Sequence, residues 1–302
     1  MLGYPKRFSA VSGARIAHYN QGQGNGPCLV LVHGLPTSSF LWRDVIAALR
    51  RRYHIIAPDL LGLGDSSGAM DADHSLHGQA RLVEGLLDRY KVEDVVVVGH
   101  DIGGAVAQLL ALGMSRRVRG LVLVSSAAYD NWPVAVIRKL QRIAAWRPVW
   151  HAAVRAGMTR SLGFADSGFR RGVKFPGSID AQTIEEYLRP HRLSVSSRDH
   201  LRMLLLALDN DETRRAAHKL NRLDLPALVV WGADDAFLPV TWARRLSADL
   251  RGAALHVLNS CGHFVPEERA GELAGLIDTF ARRAFDRAPT RHDPGQPRFG
   301  TA

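Results

Sequence analysis

Residues 95 to 104 read Val-Val-Val-Val-Gly-His-Asp-Ile-Gly-Gly, and a helical pattern, Ala105 to Leu110, follows at once. A run that is apolar throughout is a strand buried on both faces. A Gly-x-Asp-x-Gly turn between such a strand and a helix is a sharp elbow that lifts one side chain, here Asp101, above the sheet. Turns of this kind usually carry a serine. An aspartate changes the chemistry, because it is ionised at neutral pH and can displace a leaving group from saturated carbon without first losing a proton. The substrate would then be esterified to the protein itself.

The rest of the chain supplies a sheet to hold this elbow. Apolar strand candidates at Arg15 to Tyr19, Cys28 to Val32, His54 to Ala57, Asp94 to Val98, Leu121 to Val124, Ala227 to Trp231 and Ala254 to Leu258 alternate with segments of helical spacing such as Leu41 to Leu49, Leu76 to Leu87, Trp242 to Leu250 and Ala270 to Phe285. Alternation of this kind predicts an α/β fold with a doubly wound, mostly parallel sheet covered on both faces. It fails between about residues 130 and 225, where Val134 to Ala145, Trp150 to Met158, Ile179 to Leu188 and Arg198 to Leu208 all have helical spacing with no strand between them. The expected organisation is a core over residues 1–128 and 225–286, a helical cap over 129–224, and a disordered tail, rich in proline and charge, over 287–302.

Composition narrows the function classes. With 302 residues and 46% hydrophobic content, the chain can bury one large core with an insertion. No segment approaches eighteen consecutive apolar residues and the amino-terminal Met-Leu-Gly-Tyr-Pro-Lys-Arg has no apolar stretch, so a soluble cytoplasmic protein without a membrane partner is expected. Cys28 and Cys261 are too few for a disulfide framework or a four-cysteine metal site and read as buried small apolar residues. The net charge of +10 is spread over separate arginine pairs, among them Arg116-Arg117, Arg170-Arg171 and Arg214-Arg215, instead of gathered on one face with aromatics. That pattern argues against a nucleic-acid partner.

A catalytic aspartate needs backbone donors for an oxyanion, a base to activate water, and a group to orient that base. Three segments offer them. His33-Gly34-Leu35-Pro36 follows the strand Cys28 to Val32; Trp231-Gly232-Ala233-Asp234-Asp235 follows a valine-rich strand; Cys261-Gly262-His263-Phe264 follows the last strand. A carboxylate in the loop after a strand can fix a histidine tautomer, and its spacing to Trp231-Gly232 favours Asp235, with Asp234 as a cap for the next helix. His263 is one of 13 histidines, but it comes last in the order nucleophile, acid, histidine.

Together with Pro58-Asp59-Leu60-Leu61-Gly62-Leu63-Gly64-Asp65-Ser66, these blocks stand in the order found in the α/β-hydrolase fold superfamily, which the chain resembles from about residue 15 to 285. The resemblance implies an oxyanion hole made by the N–H groups of Leu35 and Ile102. With aspartate at the elbow, it points to epoxide hydrolases, haloalkane dehalogenases and haloacetate dehalogenases. These imply attack by Asp101, an alkyl-enzyme ester, and its hydrolysis by water that His263 activates while Asp235 orients His263. They imply no metal or organic cofactor and a small hydrophobic substrate as the partner of a monomer or homodimer.

The branches differ at the leaving group. Haloalkane dehalogenases usually follow the nucleophile with a tryptophan and haloacetate dehalogenases with an arginine, where this chain has Ile102. The His-Gly-x-Pro turn and Gly-His-Asp-x-Gly-Gly elbow match epoxide hydrolases, although these too commonly carry tryptophan at the Ile102 position. Such enzymes protonate the opened oxygen with cap tyrosines, which makes Tyr187 and Tyr129 the acid candidates, each equally readable as a packed aromatic. Trp132, at the start of the cap, reads first as a core-packing aromatic and second, by resemblance to a dehalogenase cap entrance, as a halide ligand, and Asp130 is the alternative to Asp235 as orienting acid. Epoxide hydrolysis is the first expectation and dehalogenation the second. An acyl-ester hydrolase is disfavoured because Ser38, Ser39, Ser66 and Ser125 are not at the elbow. A non-catalytic binder on the same fold is the alternative of another class.

Overall fold

The computed structural model of the chain describes residues 5–164 and 168–287. Eight strands, β1 (Arg7–Val11), β2 (Ala14–Gln21), β3 (Cys28–Val32), β4 (His54–Pro58), β5 (Val95–Asp101), β6 (Val118–Ser126), β7 (Ala227–Gly232) and β8 (Ala254–Leu258), form one sheet in the order β1-β2-β4-β3-β5-β6-β7-β8. The first two pairings, β1 with β2 and β2 with β4, are antiparallel and all others are parallel. Thus the expected doubly wound, mostly parallel sheet is present.

Alternate side chains of the central strands feed two cores. Val30, Val32, Val95 and Val97 enter one, packed under α2 (Leu76–Arg89), α3 (Ile102–Gly113) and α11 (Thr241–Asp249). Leu29, Leu31, Val96 and Val98 enter the other, under α1 (Arg43–Leu49) and α13 (Ala270–Asp286). All eight are fully buried, at about 1.5–3 kcal/mol for each side chain removed from water. Burial on both faces is why these strands read as continuous apolar runs.

β1 was not among the predicted strands. Its sequence, Arg-Phe-Ser-Ala-Val, is exposed at three of five positions, as suits an edge strand paired on one side. The usable signal was Ser12-Gly13, both at positive φ (46° and 79°), which closes the hairpin between β1 and β2.

Between β6 and β7 the described residues contain only helical elements: α4 (Ala135–Ala144), α5 (Arg147–Arg155), α6 (Met158–Phe164), α7 (Phe169–Gly172), α8 (Ala181–Leu193), α9 (Val195–Ala207) and α10 (Asp211–Leu220), with one short 3-10 turn. α8 does not end at Leu188 but passes through Pro190, which lacks the N–H that would continue the helical ladder. This extension carries His191. No described helix is long and apolar enough to cross a membrane. The tail expected from residue 287 lies outside the described residues apart from Arg287.

Candidate active site

The carboxyl ends of β3, β5, β7 and β8 converge. Asp101 stands at φ 54°, ψ −124° at the junction of β5 and α3, a conformation that costs on the order of 1–3 kcal/mol for a residue with a Cβ. The elbow is possible because glycine flanks it: a Cβ on Gly103 would lie 2.3 Å from the carbonyl oxygens of Val32 and His33. The strain presents the carboxylate to a backbone donor: Leu35 N–H donates to Asp101 Oδ1 at 2.9 Å. The Ile102 N–H adds to the stabilisation of the charged carboxylate.

The turn after β3 aims the first of these donors. The Gly34 carbonyl belongs to the same peptide group as Leu35 N–H, and it accepts from Thr37 N–H (2.9 Å) and Thr37 Oγ1 (2.8 Å). His33 reinforces the turn, with Nδ1 at 3.0 Å from the Gly34 oxygen and Nε2 accepting from Leu60 N–H at 3.0 Å. Burial pushes His33 down to about 4, so it stays neutral. Gly34 itself packs on Asp101: a Cβ there would fall 2.4 Å from its Oδ1.

His263 bridges two carboxylates. Its Nδ1 is 2.9 Å from Asp235 Oδ2 and its Nε2 is 3.6 Å from Asp101 Oδ2. Asp235 is fixed in turn, since its Oδ1 accepts from Phe237 and Leu238 N–H, both at 2.9 Å. Burial opposes protonation of His263, but Asp235 first and Asp101 second outweigh it and push its pKa up to about 10. The two carboxylates thus favour the protonated ring. Burial likewise works to raise Asp101, yet the neighbouring His263 prevails and holds it below the usual carboxylate range.

The alternatives for the orienting acid lie elsewhere. Asp130 is exposed, and Asp234 pairs with Lys174 at 2.8 Å on the surface. Neither Asp234 nor Asp235 caps α11, which begins without a side-chain cap. Three groups that fix the His263 loop were not anticipated. His100 Nε2 donates to the His263 carbonyl at 3.0 Å, the Gly172 carbonyl accepts from His263 N–H at 2.6 Å, and Glu268 accepts from Gly262 and Lys174 N–H at 2.7 Å each. Only the neighbouring Gly-His-Asp sequence gave any hint of His100; the Gly172–His263 and Lys174–Glu268 bonds join residues far apart in the chain, and Glu268 lies six residues beyond Gly262.

A cavity of about 140 Å³ opens over Asp101 and His263, walled almost entirely by apolar groups that include Leu35, Ile102, Trp132, Trp150, Leu205 and Phe237. The expected ligands divide. Trp132 lines the cavity with its ring, but its Nε1–H is committed to Thr213 Oγ1 at 3.0 Å, which corrects its reading as a halide donor. Tyr129 is not a lining residue: its hydroxyl donates to Asp249 Oδ2 at 2.7 Å and its ring stacks on Trp242. Tyr187 also lies outside the cavity wall. It is stacked on Phe169, and its hydroxyl donates to Glu267, which Arg43 holds through two further bonds. In both cases a carboxylate on a distant element captures the phenol, because a hydrogen bond to a charged acceptor outweighs exposure to an apolar space. The lining also includes two polar side chains that were not predicted, His191 and Thr159. Among the described residues no three His, Cys, Asp or Glu side chains converge to hold a metal ion.

Comparison with known proteins agrees with this architecture. The model of the alpha/beta hydrolase fold family matches residues 27–270. The soluble epoxide hydrolase of Corynebacterium sp. (strain C12) is 31% identical over 272 residues, covering 86% of this chain and 91% of that protein. Haloalkane dehalogenase 2 of Mycobacterium tuberculosis is 29% identical over 278 residues, covering 91% and 94%. The solved epoxide hydrolase CorEH superposes with a TM-score of 0.75 at 25% identity, covering 92% of this chain and 98% of that one.

Proposed function

The chain belongs to the α/β hydrolase fold family, and from this premise we propose that it hydrolyses a small, hydrophobic carbon electrophile through an ester on Asp101. The observation that carries the reading is the aspartate at the elbow, with the Leu35 N–H on its carboxylate, the Ile102 N–H favouring its charge and His263 behind it. Oδ2 attacks carbon and becomes the ester oxygen, while Oδ1 stays on the Leu35 donor, with the Ile102 N–H as the second donor of the oxyanion. Water that His263 deprotonates then adds to the carboxyl carbon, and the same donors stabilise the negative charge that develops on Oδ1. Hydrolysis of this ester returns the carboxylate and releases an alcohol.

Proton accounting favours an epoxide as the electrophile. His263 holds a proton at rest because it faces two carboxylates, and it must lose this proton before it can act as a base. Alkylation removes the charge of Asp101 and with it part of what retains the proton. The oxygen released from an epoxide needs one proton, so the two requirements cancel and a diol results. Departure of a halide takes up none, and the proton must then reach solvent. The 31% identical epoxide hydrolase supports the same order. Displacement of halide is the second reading, favoured by the absence of either cap tyrosine from the cavity wall and by the 29% identical dehalogenase.

Intact-protein mass spectrometry tests this. His263→Gln should accumulate an adduct of full substrate mass with a terminal aryl epoxide, and Asp101→Asn should form none. An adduct only with a chloroalkane, with halide released, would replace epoxide by halide. No adduct with either compound would overturn the alkyl-enzyme mechanism and favour a binding protein on the same fold.

A further inference from the structure

Once Tyr129, Tyr187 and the Trp132 and Trp150 indoles are committed elsewhere, the last to the Arg198 carbonyl at 2.9 Å, the polar side chains on the described cavity wall besides Asp101 and His263 are His191 and Thr159. From its place on that wall and its bond to Ser197, we infer that His191 is the cap's donor to the leaving atom, directing an Nε2–H at the oxygen that an attacked epoxide releases. The inference rests on the alkyl-enzyme reading above and adds a residue to it.

Three features of the site support the assignment. His191 is buried on α8, one residue past Pro190, and lines the same cavity as Asp101. Its Nδ1 is 3.0 Å from Ser197 Oγ, one helix further on, at the start of α9. Assigning the Ser197 hydroxyl as donor to Nδ1 places the one hydrogen of a neutral ring on Nε2, an atom without a hydrogen-bond partner among the described residues. Burial pushes His191 down to about 4, so the ring is neutral and presents a dipole instead of a fixed cation. A lone donor in an otherwise apolar wall is worth more than it would be in water, because no solvent competes for the charge that develops opposite it.

The chemical step balances without an added reagent. A bond forms from Asp101 Oδ2 to carbon, the carbon–oxygen bond breaks, and its electron pair goes to the oxygen. The oxygen accepts a hydrogen bond from His191 Nε2–H and takes one proton, in the parent the one that His263 gives up as the Asp101 charge is consumed and in the His263→Gln variant one from water. His191 keeps its own hydrogen and is ready for the next turnover.

Rapid-quench mass spectrometry in the His263→Gln background, where the ester accumulates, isolates this step. His191→Phe should slow alkylation by the aryl epoxide by about 10²-fold, the order lost with one oxyanion-type donor. His191→Gln, whose amide can still donate, should recover part of that rate. Ser197→Ala should lose an intermediate amount. With His263 restored, hydrolysis of preformed ester should proceed at the parent rate in His191→Phe. Alkylation by His191→Phe and His191→Gln at the parent rate would overturn the assignment while leaving the alkyl-enzyme mechanism standing. A loss in Thr159→Val equal to or greater than that in His191→Phe would transfer the role to Thr159. Absence of adduct in the His263→Gln parent would overturn both readings at once.

Discussion

Asp235 and His263 are joined by a 2.9 Å hydrogen bond in which every other position on the carboxylate and the loop is already fixed: Asp235 Oδ1 by two backbone donors, the His263 backbone by His100 and Gly172. The pair therefore has little freedom to reorganise if one member changes. Asp235→Asn keeps the shape but offers Nδ1 an amide N–H, which favours the wrong tautomer. We expect ester hydrolysis to fall about 10³–10⁴-fold, the order seen when a triad aspartate is replaced by asparagine, while alkylation changes much less. A stable adduct in this variant would show the split directly. Asp130→Asn, at an exposed position, should retain full turnover.

The approach of Gly34 to Asp101 gives a second expectation. A methyl group at residue 34 must displace either the Asp101 carboxylate or the turn whose N–H bonds to it. Gly34→Ala should cut both alkylation and ester hydrolysis, the latter by about 10²–10³-fold because the oxyanion loses a donor. The melting temperature should change little, since the contact lies at the mouth of the sheet and not within its two cores. Unchanged hydrolysis in a folded Gly34→Ala protein would remove Leu35 from the oxyanion hole.

Stability should peak near neutrality. His33, His100 and His191 are buried and held down to about 4 by desolvation. Each favours the folded state fully above its unfolded pKa of about 6.5 and loses that contribution as pH falls toward 4, on the order of 2 kcal/mol per ring by about pH 5. His263 has the opposite sign. Its folded pKa of about 10 gives stability that is complete below about 6.5 and is lost as pH rises toward 10. Urea unfolding from pH 4.5 to 10 should show both limbs, and His263→Gln should flatten the alkaline one alone.

How far the sequence could be read depended on how local each cause was. The Val95 to Val98 run, the Gly99 to Gly104 elbow and the His33-Gly34 turn are dictated by neighbours a few residues apart, and the sheet forms around them as their patterns require. Asp235 and His263 were reachable because each follows a strand directly. The cap was legible only as helices. Which way Tyr129 and Tyr187 point depends on Asp249 and Glu267, 120 and 80 residues away in sequence, and no periodicity encodes such a partner. His191 escaped notice for a related reason: the helical spacing reads only to Leu188, whereas the helix continues to Leu193, so the histidine was assigned to no face.

The two tyrosines offer the clearest check on that correction. If their hydroxyls serve the packing of the cap and core, removing them should cost stability and spare the chemistry. Tyr187→Phe leaves Glu267 with Arg43 alone and should lose about 1.5–3 kcal/mol, the usual worth of a hydrogen bond to a charged group. Tyr129→Phe frees Asp249 and should lose a similar or smaller amount. In both variants alkylation of Asp101 by an epoxide should keep its rate within about threefold, well under the roughly 10²-fold expected for loss of a donor to the reacting oxygen. A selective loss of epoxide alkylation in Tyr187→Phe, with chloroalkane displacement intact, would instead make Tyr187 the acid and require the cap to turn its hydroxyl away from Glu267 when substrate binds.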